Sequence, residues 1–101
     1  MHNTIDFIET AWLMLSNQEV VDELKNNYYK SAAKDPDART TDGMMSFATE
    51  WINTVINNYP NFKDVSESEI HIVKRWIVLK ILFPIVLHIE MGQEARKSEK
   101  H

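Results

Sequence analysis

Lys80 has the least ordinary surroundings in the chain. It stands inside residues 76–89, fourteen consecutive positions of which only Lys80 and His88 are polar. An ammonium held away from water loses its preference for the charged form, and the resulting free amine is a nucleophile for Schiff-base chemistry or a base. The same side chain suits a structural task, its stem covering apolar neighbours while the head reaches water or meets Asp6, Glu9 or Glu23. Lysines buried without a partner are rare, so the structural role is the expectation.

The histidines are His2, His71, His88 and His101, and no two share the i, i+4 spacing of a metal-binding helix face. Glu-x-x-His is missing as well, since Ile85 stands three residues before His88 and Glu69 only two before His71. Asp35, Asp37 and Asp42 suggest a calcium loop, but its fifth and sixth positions hold Arg39 and Thr40 where an oxygen ligand and a glycine are needed. With no cysteine, no G-x-S-x-G elbow, no P-loop and no dinucleotide fingerprint, nucleophilic and nucleotide chemistry lose their usual carriers. Arg39, Arg75 and Arg96 lie too far apart in sequence to suggest an anion clamp. The expectation is a non-enzymatic protein without metal or cofactor.

A membrane span is the next reading of residues 76–89. Fourteen residues at about 1.5 Å each rise about 21 Å, against a hydrocarbon slab of about 30 Å. Extending the segment brings in Lys74 and Arg75, and Lys80 would sit near the slab centre. No transmembrane segment is expected. The formal charge is -4, and residues 1–24 carry Asp6, Glu9, Glu19, Asp22 and Glu23 with no lysine or arginine. Without a basic excess, nucleic acid is not an expected partner. Acids among the first apolar residues, in place of a positive leader, point to a cytoplasmic protein.

Positioning these residues falls to helices, because 101 residues with two glycines and three prolines leave long uninterrupted segments and little turn chemistry. Thr4 is a suitable N-cap for a first helix with Ile5, Ile8, Trp12 and Leu15 at helical spacing. Ser16-Asn17-Gln18-Glu19 reads as a capping box that starts a second helix with an inner stripe of Val20, Val21, Leu24, Tyr28 and Ala32. Residues 35–40 read as a turn around Pro36. A third helix follows, with Met44, Ala48, Trp51, Ile52, Val55 and Tyr59 on its apolar face and Pro60 as its stop. Ser66-Glu67-Ser68-Glu69 is a second capping box, launching the last helix. Residues 19–28 and 50–59 share Glu, Asn, Asn and Tyr at matched places, a likeness that two amphipathic helices reach without duplication.

The expected fold is therefore all-α: an antiparallel bundle of four helices in a single domain spanning residues 1–101, with 92–101 a frayed polar tail. The last helix is expected to be long, strongly apolar, and kinked or broken at Pro84, whose ring crowds the turn of Lys80. Val78, Leu82 and Ile85 fall roughly opposite Val73, Phe83 and Leu87, so this helix must be surrounded by protein on every side or half-buried in a dimer seam. Trp12, Trp51 and Trp76 lie on apolar faces of three helices and are expected to meet in the core. Phe7, Tyr29 and Phe62 fall off those stripes or in loops. With Asp22 and Glu23 as rim charges they make the expected partner-binding set, directed at a protein with a basic patch that the chain would mask or regulate as an inhibitor, immunity or adaptor protein. Two other readings stand beside it: a homodimer or larger homo-oligomer seamed by residues 76–89, and a helical small-ligand or membrane-surface binder using the Lys80 and His88 sides.

Overall fold

The computed structural model describes the backbone of residues 3–58 and 65–99, and the side-chain surroundings of residues 7–58 and 65–93. Within these the chain is all-α: α1 (Asn3–Leu15), α2 (Gln18–Lys34), a 3-10 turn (Pro36–Arg39), α3 (Thr41–Asn58), α4 (Glu67–Ile77), a π segment (Val78–Leu82) and α5 (Phe83–Glu99). Among the described residues there is no strand.

Capping residues set the boundaries. Asn17, not Ser16, caps α2: its Oδ1 accepts the Glu19 N–H at 2.9 Å, while the Ser16 hydroxyl turns back to donate to the Trp12 carbonyl at 2.8 Å. Asn17 thereby satisfies the same Glu19 N–H that the capping-box pattern assigns to the Ser16 hydroxyl, and the helix starts one residue later. At α4 the box forms in full. Ser66 Oγ accepts the Glu69 N–H at 3.3 Å, and Glu69 Oε1 accepts the Ser66 N–H at 3.0 Å and its hydroxyl at 2.7 Å.

Pro84 does not break the last helix, which runs without a gap from α4 through the π segment into α5. The Phe83 N–H donates to the Val78 carbonyl, five residues back. This wider turn, placed just ahead of Pro84, opens the backbone that the pyrrolidine ring would otherwise crowd. Beyond Met91, helix continues to Glu99 through the polar residues that composition assigned to a frayed end. Gly92 is tolerated there, and Gln93, Glu94, Ala95, Arg96 and Lys97 are all good helix formers. That polar half also means α5 is not strongly apolar as a whole, and among the described residues no helix is long and apolar enough to cross a membrane.

One core joins the elements. α1 packs on α2 and α4, α3 on α4 and the π segment, and α2 on α5 and the π segment. Leu24, Tyr28 and Ala32 from α2 meet Met44, Ala48, Ile52 and Val55 from α3, and Ile77, Ile81, Leu82 and Val86 from the last helix, all buried. The α2–α3 junction is closed by its own polar groups. Tyr28 donates its hydroxyl to the Ala38 carbonyl at 2.6 Å, and Arg39 Nη1 donates to Ala32 O at 2.6 Å, filling an acceptor that the end of α2 leaves open. Gly43 lies against this turn so closely that a Cβ would stand 2.7 Å from both Ala38 Cα and Ala38 O and still closer to the Asp37 carbonyl oxygen.

Candidate functional site

The expected partner-binding residues separate. Phe7 is 1 % exposed and belongs to the core, so it offers no surface anchor. The reason is a rotation of α1: Phe7, Ala11 and Leu15, spaced four apart, form a row of three facing inward, and Ile8 and Trp12 lie to one side of it. Phe62 lies outside the described residues. Asp22 and Glu23 are exposed on α2, and Asp22 Oδ1 accepts from Gln18 Nε2 at 2.7 Å. Tyr29 is 48 % exposed one face-repeat further along the same helix. It rims a recess of about 250 Å3 with Ala33 of α2 and with His88, Ile89, Gly92 and Gln93 of α5.

Lys80 and His88 are both exposed. Lys80 is therefore open to water and not enclosed among apolar neighbours. Among the described residues no three His, Cys, Asp or Glu side chains come together as a metal site. One carboxylate oxygen, Glu69 Oε2, is buried without a hydrogen-bond partner, the other being engaged in the α4 cap. Burial pushes the Tyr28 hydroxyl above its ordinary value of 10.0, and the nearby Arg39 charge pulls the other way.

The largest departure from expectation is on the last helix, which is not surrounded on all flanks. Val78, Ile81, Leu82, Val86 and Ile89 are buried, but Leu79 is 55 %, Phe83 43 %, Leu87 43 % and Met91 69 % exposed. These four recur every fourth residue and make a continuous apolar ridge on the side opposite the core. Ile72, 56 % exposed, extends the ridge seven residues toward the start of α4. The placement of the neighbours explains the exposure. α1, α2 and α3 pack on the inner side of the 67–99 helix, where Val78, Leu82 and Val86 are buried, and leave its outer side uncovered.

The tryptophans also fail to gather in the core. Trp12 is 56 % exposed, and its ring meets that of half-buried Trp76 at 5.2 Å between centroids and 54° between planes. Together with Ile8, Ala11, Leu15, Ile72 and Val73 the pair lines an apolar recess of about 170 Å3 at one end of the ridge. Trp51 is half-buried against the core from α3. The ridge and recess were absent from the sequence-derived site. Their signal was present, since rows 78–82–85 and 79–83–87 are both apolar and two or three short neighbours cannot cover both sides of one helix.

No family model matches this chain, and neither a curated protein nor a solved structure matches it.

Proposed function

We propose that this chain is a small non-enzymatic helical protein that works by docking onto another protein chain, with the apolar ridge of its last helix as the contact surface. The observation that carries the reading is the four-residue row Leu79, Phe83, Leu87 and Met91, each at least 43 % exposed on a helix whose opposite side is core. Exposed apolar area of that extent and regularity marks interaction surfaces, and an apolar helix face lying in a groove is a common mode of recognition. In this reading the helical segments form an antiparallel four-helix bundle, with the last helix shared between its core and the bound chain. Tyr29, Asp22 and Glu23, on α2 beside α5, form a second, more polar rim that steers a protein carrying a basic patch. Masking such a surface, as an inhibitor, immunity or adaptor protein does, in the cytoplasm, is the function this supports.

Photocrosslinking in the native host tests the reading. A photoreactive phenylalanine analogue placed at Phe83 yields a discrete protein adduct, one at Tyr29 a weaker adduct, and one at Ser46 on the exposed side of α3 none. Absence of an adduct at Phe83 and at Tyr29 together rejects a docking role for either face.

A further inference from the structure

The inner part of the ridge is symmetric in sequence about Phe83. Leu79 and Leu87 each lie four residues from Phe83, and Arg75 and Met91 each lie eight from it. We infer that the ridge is the two-fold interface of a homodimer in which the 67–99 helices of two copies pair antiparallel about Phe83. Each Met91 seats on the Trp12–Trp76 recess of the second copy, and each Glu90 faces Arg75 of the second copy. The inference rests on the ridge being a docking surface and names its occupant.

Three features favour a second copy. An antiparallel pair sets position 83+n against 83−n, so Leu79 meets Leu87, Phe83 meets Phe83, and Met91 arrives at the level of Arg75 and Trp76. There the apolar recess of about 170 Å3 is open to a flexible thioether, a side chain that packs well on aromatic rings. Charge agrees with this register. A two-fold antiparallel pair brings the same flank of both helices together, and helical spacing through the π segment puts exposed Arg75 and Glu90 on one flank, away from Lys80, Pro84 and His88. Opposite charges therefore meet twice, once at each end. Area is the third feature. Trp12, Ile72, Leu79, Phe83, Leu87 and Met91 each leave roughly 100 Å2 open, about 600 Å2 per copy, which approaches the roughly 800 Å2 per partner of a standard stable interface.

Sedimentation equilibrium of the full chain over a range of concentrations, with circular dichroism to verify helix content, tests this. The wild type sediments as a dimer. Leu87→Asp raises its dissociation constant by about a hundredfold or more, and Arg75→Glu or Glu90→Arg alone raises it about tenfold. The double variant R75E/E90R returns to near the wild-type value. A folded chain that stays monomeric at its highest soluble concentration overturns the inference, whether its ridge then takes another protein or a lipid vesicle, and leaves the docking reading to the crosslinking result. A dimer that Leu87→Asp leaves intact overturns the inference and likewise leaves the docking reading to the crosslinking result. A dimer split by Leu87→Asp but no better restored by the double variant than by either single one overturns the antiparallel register while the docking reading stands.

Discussion

The α2–α3 junction and the outer side of the last helix spend similar numbers of large side chains to opposite ends. At the junction, Tyr28 is fully buried, packs edge-on against Phe47 at 5.1 Å between centroids, and gives its hydroxyl to the turn it sits beneath. Arg39 closes the end of α2, and Thr40 both donates to Asp37 O at 2.7 Å and accepts the Gly43 N–H at 3.0 Å. Apolar area and hydrogen bonds are both consumed inside the chain. Along the ridge, by contrast, four side chains of the same size class stay open to solvent. Apolar content alone therefore does not decide whether a segment stabilises the fold. What decides is whether a neighbour lies over it.

Substitutions at the junction and at the ridge are accordingly expected to separate stability from association. The largest stability effect belongs to Gly43→Ala, because the new methyl collides with fixed backbone of Asp37 and Ala38, not with a side chain that can move. A loss of about 3 kcal/mol in urea unfolding is expected, the upper part of the overpacking range. A loss below about 1 kcal/mol, by the same scale, would show that the turn gives way easily and that the junction is not closed.

Tyr28→Phe removes one hydrogen bond and leaves the Ala38 carbonyl short of a donor, for an expected loss of about 1–1.5 kcal/mol. It carries a pH signature too. The hydroxyl pKa is raised in the folded state, so the folded chain holds its proton more tightly than the unfolded one. That contribution is complete below pH 10.0, the unfolded value, and is lost as pH rises through the higher folded value. Thermal melts from neutral to strongly alkaline pH should show a fall in the wild type that is smaller in the phenylalanine variant. Equal falls in both would place the alkaline sensitivity elsewhere.

Ser66→Ala, which dismantles the α4 cap, is expected to cost about 1 kcal/mol. The smallest effect is expected on the ridge. Leu87→Gln keeps good helix propensity at a position opposite the core and should change chemical stability of the monomer by no more than about 0.5 kcal/mol. A larger loss, measured where the chain is monomeric, would mean that the ridge is packed within the chain after all and would erase the contrast between the two regions.

Much of the helical layout was legible from local chemistry. The inner stripe of α2 through Leu24, Tyr28 and Ala32, the turn around Pro36, and the Ser66–Glu69 box each depend on residues within a few positions of one another. Where two local solutions compete, reading from sequence slipped by a residue, as with Asn17 taking the cap in place of Ser16. The candidate site was less legible. Tyr29, Asp22 and Glu23 are exposed as expected, but Phe7 is buried, because an apolar helix with two adjoining rows does not announce which row turns inward.

What the sequence determined by itself was therefore periodic and local: helices, most of their ends, and an apolar last segment too short to span a bilayer. Three matters needed the tertiary structure. The rotation of α1 was settled by the fit of Phe7, Ala11 and Leu15 into the core, which put Trp12 outside against Trp76. The passage of the helix through Pro84 was settled by a π turn in which the Phe83 N–H reaches the Val78 carbonyl. The open ridge was settled by the placement of α1, α2 and α3 on one side of the last helix, and covering is a property of neighbours that no window of residues contains.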